Sequence, residues 1–226
     1  MAVEDRQSGE QYRFILPGPQ IGPADQERCL NALAAAAPRA KFIVASGSLP
    51  LGVPEDFYRR VGQLAKEHGK RLVLDTSGAA LKRAGRDIYL LKPSLRELED
   101  LTGRQIRSER DEVAAARLLV EQGRSEIVVV SLGARGALLV TAEEAERFPA
   151  IPVSAKSTIG AGDSMLAGII FGLTHGLRVR GAVQFGIAAG AAALLGSGTQ
   201  LCGREDVKRL YELMFDSPAY VRKDSP

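Results

Sequence analysis

Five short stretches of the chain are apolar almost without interruption: 41–46 (KFIVAS), 71–75 (RLVLD), 88–92 (IYLLK), 126–131 (EIVVVS) and 136–141 (GALLVT). They lack the alternation of a strand that is wet on one face, so they predict strands covered on both faces. Segments of helical period lie between them. In 54–69, Pro54 stands at the helix start, Phe57, Val61 and Leu64 share one face, and Gly69 closes it. A short helical stretch follows 75, and 94–103 and 110–123 read as helices closed by Gly103 and Gly123. After residue 160 the pattern is helical: 162–174, 179–195 and 204–214. Strands alternating with helices predict βαβ units, hence an α/β fold with a doubly wound, mostly parallel sheet. The last two strands are separated by LGAR (132–135), a hairpin-length loop, so an antiparallel edge is expected there.

Composition narrows the function classes. The 226 residues, 45% hydrophobic and 25% charged, suit one globular domain with a real core. Lys plus Arg (30) exceeds Asp plus Glu (27) by a dispersed +3. There is no basic block interleaved with aromatics and no tryptophan, so no nucleic-acid partner is expected. Cys29 and Cys202 stand far apart without a CxxC pattern, which makes a reduced, cytoplasmic protein the default. The first eleven residues are polar and carry acids, unlike a signal peptide. The longest apolar run, 186–196, is too short to span a bilayer, so no membrane partner is expected.

One stretch calls for chemistry. STIGAGDSM (157–165) leads two glycines and an aspartate into an apolar helix. In such a sheet, ligands sit at the carboxyl ends of strands, where helices begin. Gly160 and Gly162 leave space there, and backbone N–H groups at a helix N-terminus make an anion site. A carboxylate beside a phosphate is odd for binding alone. Asp163 makes sense as a base for an attacking hydroxyl; the plain alternative is a tight turn with Asp163 as the helix N-cap. The phosphate motif GxxxxGK[ST] is absent, and GxGxxG fails because Met165 occupies its last position, which argues against a nicotinamide enzyme.

STIGAGDSMLAG resembles the signature of the ribokinase-like sugar kinases, the phosphofructokinase B family. Further stretches resemble it in the family's order: 44–54, 74–78, 91–99, 129–140 and 196–202. Within the family, 8–18 and 198–202 are most similar to the branch of minor bacterial 6-phosphofructokinases. The resemblance implies a glycolytic, ATP-dependent kinase that phosphorylates C1 of fructose 6-phosphate to the 1,6-bisphosphate. Tagatose-6-phosphate kinase and 1-phosphofructokinase are the near alternatives, and a non-catalytic nucleotide-binding fragment is the alternative of another class.

Roles follow by position. Asp163 would be the catalytic base, touching the sugar hydroxyl, and the backbone of Gly160, Ala161 and Gly162 the anion hole. Lys92 would lie near the nucleotide phosphates. Ser94 and Glu97 would belong to the family's Asn-x-x-Glu metal and phosphate motif, with serine standing where the family has asparagine. Ser131, Gly133 and Gly136 would line the ATP site, and Gly196, Gly198 and Thr199 would pass beside the adenine. Ser46 would touch the phosphosugar. Mg2+ would be held by Glu97 and, through water, Asp75, and K+ by the main-chain carbonyls of Ser157 and Ile159. Each has a plain alternative: Lys92 and Glu97 as a solvated strand end and helix face, Ser131 as a turn cap, Ser46 as a turn residue before Pro50. His68 and His175 both stand beside a glycine at a helix end and are read as structural.

By the same resemblance, the family's first strand, substrate-binding segment and β-sheet lid are expected to lie outside this sequence. Residues 1–18 are therefore expected to be a remnant of the junction between lid and core, 19–215 the catalytic α/β domain, and 216–226 a loose tail. An apolar sheet edge and weak phosphate transfer by the chain alone are expected with them. Full-length family members are expected to be homodimers.

Overall fold

The structure, a computed structural model, describes residues 2–4, 11–13 and 18–216. β1 (Ala2–Glu4) and β2 (Gln11–Arg13) pair antiparallel as a small sheet of their own. The main body follows: α1 (Pro23–Ala36), β3 (Phe42–Ser46), α2 (Phe57–Glu67), β4 (Arg71–Asp75), α3 (Gly78–Arg83), β5 (Ile88–Leu91), α4 (Leu95–Thr102) and α5 (Glu109–Glu121). Then come β6 (Ser125–Ser131), β7 (Ala137–Val140), β8 (Ala145–Phe148), α6 (Ala161–Thr174), α7 (Val179–Leu194) and α8 (Arg204–Asp216). The six-stranded sheet runs in sequence order from β3 to β8. β3 to β6 are parallel, and β7 and β8 are antiparallel. The doubly wound, mostly parallel reading and the antiparallel hairpin at 132–135 are both seen.

Strand side chains alternate between two cores. Ile43, Leu72, Leu74, Leu91, Val128 and Val130 face a layer that contains Val61 of α2, Leu98 of α4 and Leu119 of α5. Val73, Leu90, Ile127, Val129 and Leu139 face a layer built from α6, α7 and α8. Helices thus cover both sides of the inner strands, which is why those strands are apolar throughout. β3 is the exception. It is the edge strand of this sheet, and Val44, on the face that turns toward the α6 layer, is 47% exposed. Its sequence is apolar, but no helix among the described residues covers that position.

The strands β1 and β2 are not predicted, and neither are two elements of the main body, α1 and β8. α1 buries only Gln26 and Leu30, so its apolar periodicity is faint, although Pro23 and Asp25 mark its start. β8 has four residues with one buried position, Phe148. The helix expected from Pro54 begins at Phe57, because Pro54–Asp56 form a turn in which Phe57 N–H donates to the Pro54 carbonyl at 3.0 Å. The tail from 217 and most of 1–18 lie outside the described residues.

α6 and α7 approach closely because their facing positions are small. A Cβ at Gly186 would lie 2.5 Å from Ile169 Cγ1 and 2.7 Å from the Met165 carbonyl oxygen. Gly186→Ala is therefore expected to force the pair apart and lower stability by about 1–3 kcal/mol. Denaturant unfolding checks this, and an unchanged midpoint would show that the helices part without cost.

Candidate active site

The parallel strands end at one edge of the sheet, and their last residues lie side by side. Ser46 closes β3 and pairs in register with Asp75, which closes β4. Lys92 follows β5 directly, and Ser131 closes β6. Ser131 bridges to Ser94, and its N–H donates to the Pro93 carbonyl at 2.9 Å. Four residues spread over 86 positions thus meet along the edge where a doubly wound sheet binds ligands.

Lys92 is the centre of charge. Its ammonium lies 2.9 Å from Asp75 Oδ2, with side-chain exposures of 6% and 17%. A buried ammonium is costly unless it is paired, and Asp75 supplies the pair. Burial pushes the Asp75 carboxyl up from the ordinary aspartate value. Lys92 opposes that shift, while the nearby charges of Glu97 and Asp163 add to it. Lys92 also faces the glycine turn: a Cβ on Gly162 would stand 3.6 Å from its Nζ. The reading of Lys92 as a solvated strand end is therefore wrong, because the side chain is buried between Asp75 and the glycine turn.

The glycine turn opens α6. Gly160 is the N-cap of α6 with φ +76, a left-handed conformation that favours glycine. Asp163 is exposed in the first turn of the helix. It is not the N-cap, so its plain structural reading fails. The segment before it is braced: Ser157 Oγ donates to the Gly198 carbonyl at 2.8 Å and accepts the Ile159 N–H at 3.2 Å. Gly196, Gly198 and Thr199 therefore lie in a loop tied to the glycine turn, and Leu201, 71% exposed, lies beside Gly160.

Ser94 and Glu97 form a capping box on α4. Glu97 Oε2 accepts the Ser94 N–H at 2.7 Å, and Ser94 Oγ accepts the Glu97 N–H at 3.3 Å. The serine found where the family has asparagine thus starts the helix and aims Glu97. Among the described residues no three His, Cys, Asp or Glu side chains are grouped to hold a metal ion. Asp75 is engaged by Lys92, and Glu97 accepts the Ser94 N–H through one oxygen, so the chemistry of these two carboxylates suits a hard, largely hydrated cation such as Mg2+.

On the β6–β7 turn, Leu132 N–H donates to the Gly136 carbonyl and Gly136 N–H to the Gly133 carbonyl. Gly136 has φ +89, and a Cβ there would fall 1.9 Å from the Phe148 carbonyl oxygen, so only glycine fits. On the opposite side, the Gly47 carbonyl accepts both Tyr58 Oη and Thr76 Oγ1 at 2.8 Å, which fixes the loop after Ser46 beside Asp75. Sequence reading missed Tyr58 and Thr76; neither lies in a motif, and only the meeting of α2 with the ends of β3 and β4 gives them this role. His68 and His175 are the C-caps of α2 and α6, as read.

Comparison with known proteins gives the geometry a context. Residues 2–206 match the model of the pfkB family of carbohydrate kinases. The ATP-dependent 6-phosphofructokinase isozyme 2 of Mycobacterium tuberculosis is 46% identical over 222 residues, which are 98% of this chain and 65% of the relative. The 1-phosphofructokinase of Haloferax volcanii is 34% identical over 87% of this chain and 63% of its own length. Among solved structures, phosphofructokinase-2 from Escherichia coli in complex with potassium superposes with a TM-score of 0.84 at 36% identity, over 94% of this chain and 69% of that one. The chain thus spans about two thirds of the length of these relatives.

Proposed function

The chain belongs to the pfkB family of carbohydrate kinases, and from that premise we propose that it transfers the γ-phosphoryl group of ATP to C1 of fructose 6-phosphate. The observation that carries the reading is the placement of one buried cation, Lys92, against a glycine turn that opens α6, with Asp163 in the same turn of helix. A helix N-terminus and an ammonium converge where charge develops on a transferring phosphoryl group, and a carboxylate stands next to them.

In this mechanism the N–H groups at Gly160, Ala161 and Gly162 hold the equatorial oxygens of the phosphoryl, and Lys92 neutralises charge on the nucleotide phosphates. Asp163 takes the proton from the sugar hydroxyl as it attacks. Ser46, at the end of β3 before the braced loop, contacts the phosphosugar. Ser131, Gly133 and Gly136 line the nucleotide site, and Gly196, Gly198 and Thr199 run beside the adenine. Glu97 and, through water, Asp75 would hold Mg2+, which would supply positive charge to neutralise the nucleotide phosphates. The carbonyls of Ser157 and Ile159 would take K+, a reading favoured by the braced segment 157–160 and by the potassium in the Escherichia coli relative.

The similarity to a 1-phosphofructokinase favours fructose 1-phosphate as the second substrate reading. Transfer of labelled γ-phosphate from MgATP to fructose 6-phosphate, fructose 1-phosphate and tagatose 6-phosphate separates the two. Fructose 6-phosphate is expected to be the best acceptor. Preference for another sugar overturns the substrate, and absence of transfer to any sugar, with MgATP still bound, leaves a nucleotide-binding module.

A further inference from the structure

Glu112 is a buried carboxylate that the proposed mechanism does not use. It lies on α5 with a side-chain exposure of 3%. Its Oε1 accepts Arg135 Nη1 at 2.7 Å, and its Oε2 accepts Arg147 Nη2. Arg147 also approaches Glu109 Oε1 at 3.5 Å. One carboxylate thus ties three elements together: α5, the β6–β7 turn that holds Arg135, and β8, which holds Arg147. Burial alone would raise the Glu112 carboxyl, but the two guanidinium groups outweigh burial and hold it below the ordinary glutamate value.

A buried ion cluster is a poor way to gain stability, since packed apolar side chains do as well. It does fix geometry, and here it fixes the turn 133–136. Two glycines with positive φ, Gly133 at +59 and Gly136 at +89, bound that turn. Its own hydrogen bonds, Leu132 to Gly136 and Gly136 to Gly133, give it a shape but do not attach it to α5. Its entry is tethered where Ser131 N–H meets the Pro93 carbonyl. On its far side, Arg135 reaches α5 through Glu112.

We propose that Glu112 is a positioning residue for nucleotide binding: by holding Arg135 it sets the place of the 133–136 turn against the nucleotide. This rests on the reading of that turn as part of the ATP site. The test is equilibrium binding of MgATP to the whole chain and to Glu112→Gln, Arg135→Ala and Arg135→Lys, each with its thermal unfolding recorded. Glu112→Gln and Arg135→Ala are expected to weaken MgATP binding roughly three- to thirtyfold, the range of effects relayed by residues that do not touch a ligand. Combining them should add little, because both cut the same link. Arg135→Lys, which can still donate to Glu112, should recover part of the loss. Arg135 is half exposed, so its variants remain informative if Glu112→Gln fails to fold. Binding within twofold of the parent in the Arg135 variants overturns the proposal and leaves Glu112 a structural ion pair. A parent chain that binds no MgATP overturns the nucleotide reading itself, and the proposal with it.

Discussion

Asp163→Asn is expected to cut phosphoryl transfer by about 10²- to 10⁴-fold, the usual contribution of a positioned general base. MgATP binding should persist or tighten slightly. The asparagine has the same shape but takes no proton, and it removes a negative charge from beside bound phosphate. The fold should barely change, because the side chain is exposed and the N-cap of α6 is Gly160. Losing an acid from the first helical turn costs about 0.3–1 kcal/mol. Labelled-phosphate transfer together with nucleotide binding separates the roles. Equal transfer by parent and variant would rule out Asp163 as the base. If both bind MgATP and neither transfers, the chain binds nucleotide without catalysis.

Lys92→Met should have the largest effect on stability. It leaves Asp75 buried without its cation, and breaking a buried pair costs about 3–5 kcal/mol. The cost should depend on pH in a definite direction. The Asp75 carboxyl is already raised by burial, and Lys92 is what opposes that rise, so its removal raises the folded-state value further. An acid raised in the folded state binds its proton more tightly there than in the unfolded chain. Its contribution to stability is complete below the unfolded value and is lost as pH rises through the folded one. The deficit of Lys92→Met should therefore be small near pH 4 and large near pH 8, on the ordinary aspartate scale of about 3.9. Asp75→Asn in the same chain should remove most of the pH dependence. Denaturant unfolding across that range checks it, and a deficit that does not vary with pH would mean that Asp75 is not the group left exposed to the loss.

The elements with strong signals were legible in the sequence. The uninterrupted runs at β4 to β7, the glycine-terminated helices and the hairpin-length loop each carry a local cause, and they appear where expected. α1 and β8 were not legible because each buries so little that periodicity is faint. β3 is as apolar as an inner strand but lies at the end of the sheet among the described residues, with Val44 exposed; this is the apolar sheet edge that the family resemblance leads one to expect, whereas the apolar run alone reads as a strand covered on both faces.

The candidate site divides in the same way. Gly160, Gly162 and Asp163 are adjacent in sequence, and what they need is local: a left-handed glycine, a helix start and an acid in its first turn. The glycine–aspartate turn, the alternation of strands and helices, and the resemblance to a kinase family are therefore readable from residue order alone. Three-dimensional packing is needed to see that Ser46, Asp75, Lys92 and Ser131 share one edge, that Lys92 is buried between Asp75 and Gly162, and that Glu112 holds two arginines from two other elements. The reason is that hydrogen-bond register between strands and the packing of helices across them bring together residues far apart along the chain. The free energy of a buried charge depends on those neighbours and on nothing adjacent to it in sequence.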